Sequence, residues 1–294
     1  MTLKVVQIGM GPLGIKVADF IAQRKGIQTV AAVDKNPALI GKSLHDLKSN
    51  LDNQTFIYQN LAEAIEVAKP DLAILTTVSD MECVTPQIEE IVGFGIPVVT
   101  TCEELSYPWE TNAILANRMD EAAKKHKVAV VATGVNPGFM MDALPTFLTA
   151  VCQNVERIEV RRFQDATYRR VPFQKKIGAG LSLEEFEERK ENGTLRHVGL
   201  AQSMQFIAHK MGWKLDKVED IISPVIASED ITANGSMAIP KGNATGVCQI
   251  GRAYVNGEEK IKVTDIKFEN DSLTIQMPVF LSYFRMINTA EGMT

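Results

Sequence analysis

The chain has 294 residues, 45% hydrophobic and 23% charged, with a formal net charge of −5. That balance is ordinary for a globular protein of one large or two ordinary domains, and its acidity argues against general nucleic-acid binding. No apolar stretch reaches the roughly 18 residues of a membrane span. Four cysteines lie far apart without a C-x-x-C pair, and the first strand begins within three residues of the amino terminus. The expectation is a cytoplasmic protein with no signal peptide, disulfide framework or zinc site.

The first predicted element is a strand over Lys4–Ile8, which empties into Gly9-Met10-Gly11-Pro12-Leu13-Gly14 and then a helical pattern at Ile15, Val17, Ala18, Phe20 and Ile21. The first glycine of such a G-x-G-x-x-G permits a tight turn, and the second lets backbone approach a pyrophosphate. The third lets helix and strand pack closely, so that the phosphates meet the helix amino terminus. A second strand, Thr29–Val33, ends in Asp34, twenty residues after Gly14, where an acid would accept the adenosine ribose hydroxyls. Strand, glycines, helix, strand and acid in that order point to a nicotinamide dinucleotide, NAD or NADP. Asp34 favours NAD by repelling a 2′-phosphate, while Lys35 and Lys42 work in the other direction.

A third strand is expected at Thr55–Tyr58, followed by a helix spaced at Leu61, Ala64, Ile65 and Ala68 and a strand over Asp71–Thr77. A helix near Glu82–Val92, a strand at Pro97–Thr100, a long helix from Pro108 to His126 and a strand at Val128–Ala132 complete the alternation. This is the pattern of an α/β fold, a Rossmann-type doubly wound parallel sheet, closing near residue 134. Ligands collect at the carboxyl ends of such strands. The candidate cofactor residues are therefore Gly9, Met10, Gly11, Pro12, Leu13, Gly14, Asp34, Thr76, Thr77 and Asn136.

Past residue 140 the alternation changes. Helices are expected at Met140–Cys152, Leu183–Glu191 and 199–212, with a strand at Glu156–Phe163 and an extended segment over 213–226. Asn256-Gly257 between two strands is a hairpin signal, and Asp271-Ser272 is a further turn before Leu273–Ile275. The reading is a dinucleotide-binding domain over 1–135 and an α+β substrate and dimerisation domain over 136–278. A carboxyl-terminal helix, about Val279 to Thr289, would fill out 279–294.

Two stretches carry candidate chemistry. Glu103 and Glu104 follow the strand ending at Thr100, ahead of Ser106-Tyr107-Pro108, a plausible helix cap and first turn. Either carboxylate can take a proton from a substrate ammonium or steady an iminium cation, and spacing does not choose between them. The stretch from Arg157 to Lys176 holds a run of cations, and arginine grips carboxylates through its planar fork. Arg161, Arg169, Arg170 and Lys176 are the candidate carboxylate holders, with Asn136, Gly138, Phe139 and His197 beside the substrate. No His–Glu spacing suits a metal, and Cys102 has no base beside it and reads as a spectator thiol.

Together, Ile8–Gly14, Cys102-Glu103-Glu104-Leu105-Ser106-Tyr107-Pro108-Trp109, Gly134–Asp142, Asp165–Arg170, Gln174–Gly180 and Arg196–Leu200 resemble the 2,4-diaminopentanoate dehydrogenases and related native amine dehydrogenases. The resemblance implies a dihydrodipicolinate-reductase-like fold, often a homodimer. It also implies NAD(P)-dependent oxidative deamination of the C4 amine of 2,4-diaminopentanoate, an intermediate of ornithine fermentation, to the 4-oxo acid and ammonia. In that family a glutamate of the Glu-Glu-Leu segment is thought to handle the amine. The tail from about Ser272 matches the family poorly. True dihydrodipicolinate reductases carry adjacent histidines, absent here, and related sugar dehydrogenases carry Glu-Lys-Pro where this chain has Glu-Glu-Leu. The competing readings are a dehydrogenase of another amino acid such as meso-diaminopimelate, a dihydrodipicolinate-reductase-like enzyme, and a dinucleotide sensor without turnover.

Overall fold

The glycine turn and the apolar runs beside it organise the first unit. In the computed structural model, which describes residues 2–52, 54–166, 171–195, 198–232, 238–268 and 281–287, β1 (Leu3–Ile8) leads into α1 (Pro12–Ala22) and β2 (Ile27–Val33). A short α2 (Leu44–Leu47), β3 (Ile57–Tyr58), α3 (Leu61–Ala68), β4 (Leu72–Leu75), α4 (Met81–Gly93), β5 (Val98–Thr100), α5 (Ala113–His126) and β6 (Val130–Ala132) follow. The strands form one sheet in the order β3-β2-β1-β4-β5-β6, parallel at every pairing. Strand order reverses between β1 and β4, the switch point where ligands of such sheets collect. One side of the sheet packs Val6, Ala73 and Leu75 against Val84, Ile88 and Ile91 of α4, and Met10, Ala18 and Ala32 belong to a separate buried cluster with Leu44 and Ile57.

The long helix starts later than its sequence suggests. Ser106 does not cap it; Glu103–Ser106 forms a 3-10 turn, and the helix begins at Ala113 under Asn112, whose side chain accepts from the Leu115 N–H at 3.3 Å. A capping asparagine four residues downstream outcompetes proline's preference for a first turn.

The second unit opens with α6 (Ala143–Leu148), β7 (Arg157–Asp165), α7 (Val171–Lys176), α8 (Leu183–Glu191) and α9 (Leu200–Met211). It continues with β8 (Lys217–Ile226), the short pair β9 (Ile231–Thr232) and β10 (Ala238–Ile239), β11 (Ala244–Val255), β12 (Glu258–Phe268) and β13 (Leu281–Ile287). Its main sheet runs β13-β7-β12-β11-β8, with β7 and β12 parallel and the other pairings antiparallel. The β11–β12 turn is Asn256-Gly257, at φ of 52° and 77°, both in the left-handed region that a tight hairpin requires. Leu200, Met204 and Ile207 of α9 cover one sheet face, burying Ile158, Val160, Ala253, Ile261 and Val263.

The expected carboxyl-terminal helix is a strand instead. Leu281–Ile287 pairs antiparallel with β7, from Leu281 opposite Phe163 to Ile287 opposite Arg157. The other edge of β7 is already taken by β12, so β13 completes its ladder and satisfies backbone groups that a helix would have left open. The Asp271-Ser272 turn and Leu273–Ile275 lie outside the described residues. By contacts the chain divides into two compact units, Met1–Gly134 and Val135–Thr294.

Candidate functional site

The glycine turn is built by close approach. Gly9 has φ of +88°, and a Cβ there would lie 2.9 Å from the Thr76 carbonyl oxygen. A Cβ on Gly14 would fall 1.8 Å from the Gly9 oxygen, so the first turn of α1 rests on bare backbone. Gly11 differs, because a Cβ there meets no protein atom within 4 Å. Gly11 is also the N-cap of α1 and makes no side-chain cap, with Pro12 next, whereas Asn60, Asp80 and Asn112 cap α3, α4 and α5 with their side chains. The first turn of α1 therefore has no side-chain cap on its backbone N–H groups, an arrangement that suits an anion.

Gly9, Gly11, Asp34, Thr76 and Thr77 line a single crevice of about 580 Å³. Asp34 is half-buried; its Oδ2 accepts from the Met10 N–H at 2.6 Å and its Oδ1 from the Asn36 N–H at 2.8 Å. The acid is thereby fixed at the end of β2 and joined to the glycine turn. Met10 is buried, Pro12 and Leu13 stand exposed on the first turn, and Thr77 donates to Gln87 at 2.8 Å. Glu90 is the second acid of the crevice and Lys35 its cation, while Lys42 is not part of its lining. Shape, open glycine, uncapped helix and fixed acid fit a dinucleotide.

At the end of β5 the two glutamates part company. Glu104 Oε2 accepts from the Met81 N–H at 3.0 Å, at the start of α4, and its own N–H donates to Ser79. It is tied into the fold as a partner of a helix amino terminus, where a carboxylate is favourable. Glu103 is half-buried, and its carboxylate makes no hydrogen bond or ion pair among the described residues. Cys102 is buried and donates to the Ser79 carbonyl at 3.1 Å; burial pushes its thiol up to about 12, so it stays protonated and is no nucleophile.

In the second unit, Asn136 presents an amide whose Oδ1 and Nδ2 are both buried and without a hydrogen-bond partner among the described residues. The turn after it is held by Asp142, itself buried, which accepts from the Gly138 N–H (2.8 Å), the Ala143 N–H (2.6 Å) and the Ser203 hydroxyl (2.8 Å). Phe139 is half exposed.

Arg161 projects from β7 away from the core face and is ion-paired with Glu159 at 2.7 Å. Its neighbour Arg162 alternates onto the face that carries Ile158 and Val160. There the sheet turns from apolar to charged: Arg162 lies 3.7 Å from Asp265, Lys267 donates to Asp265 at 2.8 Å, and Arg162 donates to Gln164 at 2.8 Å. All four are buried or nearly so, and burial holds the Lys267 ammonium below the usual lysine range. Lys176, exposed on α7, adds a further positive charge nearby. Arg162, Lys267 and Asp265 are not among the residues the sequence singles out, although the alternation of Asp265 and Lys267 with Ile261 and Val263 marks the same face. Arg169, Arg170 and His197 lie outside the described residues. Among the described residues no group of three or more histidine, cysteine or acidic side chains is placed to hold a metal, and no helix is long and apolar enough to cross a membrane.

A profile of the 2,4-diaminopentanoate dehydrogenase C-terminal domain matches residues 139–268. A 2,4-diaminopentanoate dehydrogenase from Acetoanaerobium sticklandii is 31% identical over 265 residues, spanning 89% of this chain and 74% of that protein. In fold, the chain is similar to an amine dehydrogenase from Mycobacterium smegmatis, with a TM-score of 0.78 and 19% identity over 97% of this chain and 86% of that one. A scyllo-inositol dehydrogenase from Lactobacillus casei, solved with NAD(H) and scyllo-inositol, gives a TM-score of 0.59 at 14% identity, covering 99% of this chain and 75% of that one.

Proposed function

The chain belongs to the 2,4-diaminopentanoate dehydrogenase family, and on that premise we propose that it is a cytoplasmic, homodimeric dehydrogenase. In this reading it removes the C4 amine of 2,4-diaminopentanoate to give 2-amino-4-oxopentanoate and ammonia, with NAD preferred over NADP. The observation that carries the reading is the conjunction, within one sheet, of a dinucleotide-shaped crevice and an unengaged carboxylate, Glu103, two strands from the glycine turn.

A nicotinamide dinucleotide held along the glycine turn and Asp34 would supply the hydride acceptor. Glu103 takes a proton from the substrate ammonium, which frees the nitrogen lone pair to expel a hydride. The same residue then lies against the iminium cation. Water adds to the iminium carbon and the C–N bond breaks. Ammonium substrate, water and oxidised dinucleotide thus become ketone, ammonium ion, reduced dinucleotide and one proton. Arg162 and Lys267 share one carboxylate among the described residues, which leaves one buried positive charge for the substrate's carboxylate to neutralise. Asp34 and Glu90 meet a 2′-phosphate with like charge, a juxtaposition that costs several kcal/mol. Support for the dimer is the outer face of the second sheet, where Phe163, Ile250 and Ile266 are half-buried, Ile221 is exposed, and none belongs to a core cluster among the described residues. Four free cysteines fit a reducing compartment.

The test is a panel of amines and amino acids with NAD+ and NADP+, followed at 340 nm, with light scattering on the same preparation. We expect the highest kcat/KM for 2,4-diaminopentanoate, a preference for NAD+ of about tenfold or more, and twice the chain mass. Dinucleotide binding without turnover of any amine would make the protein a sensor and sink the enzymatic reading.

A further inference from the structure

Gln7 is a polar residue next to the carboxyl end of β1, a strand hydrogen-bonded on both sides in the first sheet, and it is fully buried. Its side-chain Nε2 donates to the Thr76 hydroxyl at 2.9 Å, and that hydroxyl donates to the Gly9 carbonyl at 3.0 Å. Nε2 also lies 3.3 Å from the same carbonyl. On the far side of that peptide, the Met10 N–H donates to Asp34 Oδ2. The Gly9–Met10 peptide is thus held at both poles, its oxygen by Gln7 and Thr76 and its N–H by Asp34. The oxygen lies directly under Gly14, whose missing Cβ would also come within 3.0 Å of the Thr76 hydroxyl. Turning this peptide would lift the first turn of α1.

Stability alone does not select glutamine here. Its Oε1 is buried with no hydrogen-bond partner among the described residues, a penalty an apolar side chain of the same length would not carry. What glutamine adds is a donor chain, amide to hydroxyl to carbonyl, whose members reinforce one another away from water.

We propose that Gln7 and Thr76 are positioning residues for the dinucleotide, acting through the Gly9–Met10 peptide to set the glycine turn against the phosphates. This rests on the dinucleotide reading of the crevice. Gln7, being fully buried, acts only through its neighbours.

The experiment compares wild type with Gln7→Met, Thr76→Val, Thr76→Ser and the Gln7→Met/Thr76→Val double variant, all as full chains. It measures NAD+ affinity by calorimetry, separate KM values for NAD+ and amine, kcat, and Tm. Gln7→Met and Thr76→Val are expected to weaken NAD+ about tenfold or more, with kcat and the amine KM within about twofold of wild type. Thr76→Ser, which keeps the hydroxyl, is expected to bind NAD+ as wild type does. The double variant is expected to match the worse single one, because both break one chain. Gln7→Met should keep or raise Tm. Unchanged NAD+ affinity in Gln7→Met and Thr76→Val overturns the proposal alone; so do additive effects, or NAD+ KM, amine KM and Tm worsening together. Wild-type protein that binds neither NAD+ nor NADP+ overturns the dinucleotide reading, and this proposal with it.

Discussion

Glu103→Gln is expected to lower kcat by about 10²- to 10⁴-fold, the usual contribution of a positioned general base, while leaving NAD+ affinity and Tm close to wild type. The reason lies in the divergence of two adjacent carboxylates. Glu104 is already hydrogen-bonded to the Met81 N–H at the start of α4, whereas Glu103 has no partner among the described residues. Glutamine at 104 still offers an acceptor to that N–H, so Glu104→Gln should keep most of its turnover. Glu104→Ala should lose about 1 kcal/mol of stability, roughly a few degrees in Tm. Steady-state kinetics and thermal unfolding of the three variants decide the matter. Should Glu104→Gln lose turnover and Glu103→Gln keep it, the roles are reversed; near-normal turnover in both removes the glutamates from the chemistry.

The second large effect is expected at the charged half of the second sheet. Arg162→Ala should raise KM for 2,4-diaminopentanoate by roughly 30- to 3,000-fold, the 2–5 kcal/mol lost when one partner of a buried charge pair is truncated. An amine of similar size without a carboxylate, such as 2-aminopentane, provides the control, because its kinetics should barely change. Lys267→Met should behave alike toward the carboxylate substrate. Its Tm should fall, since it removes the ammonium that donates to Asp265 at 2.8 Å and leaves that buried carboxylate with Arg162 alone, 3.7 Å away. Equal losses on both substrates would mean that the cluster supports the sheet and does not touch the carboxylate.

Much of this was legible before any coordinates. The glycine turn, Asp34 and the alternation to β6 depend on local chemistry, namely backbone approach, helix termini and periodicity, and apart from the later start of the long helix each appears where those rules put it. The Asn256-Gly257 hairpin is likewise a local rule. What was not legible depends on partners distant in sequence. Glu103 and Glu104 look equivalent until Met81 claims one of them. The sequence points to Arg161 as a carboxylate holder and passes over Arg162, yet Glu159 takes the first and the alternation carries the second beside Asp265, about a hundred residues away. Leu281–Ile287 has enough apolar content for a helix, and only the open edge of β7 makes it a strand.

The join between β7 and β12 has a kinetic consequence. These neighbours are parallel and separated by about a hundred residues of chain, from Ile158 paired with Ile261 to Asp165 paired with Phe268. The hairpin β11–β12 closes over two residues. Loop-closure entropy makes the near partners meet first and the far ones last. In pulse-labelled amide exchange during refolding, 244–268 should gain protection before 157–165; simultaneous protection would contradict this order. Until β7 docks, Arg162 is not beside Asp265, and the charged end of the sheet exists only in the finished fold.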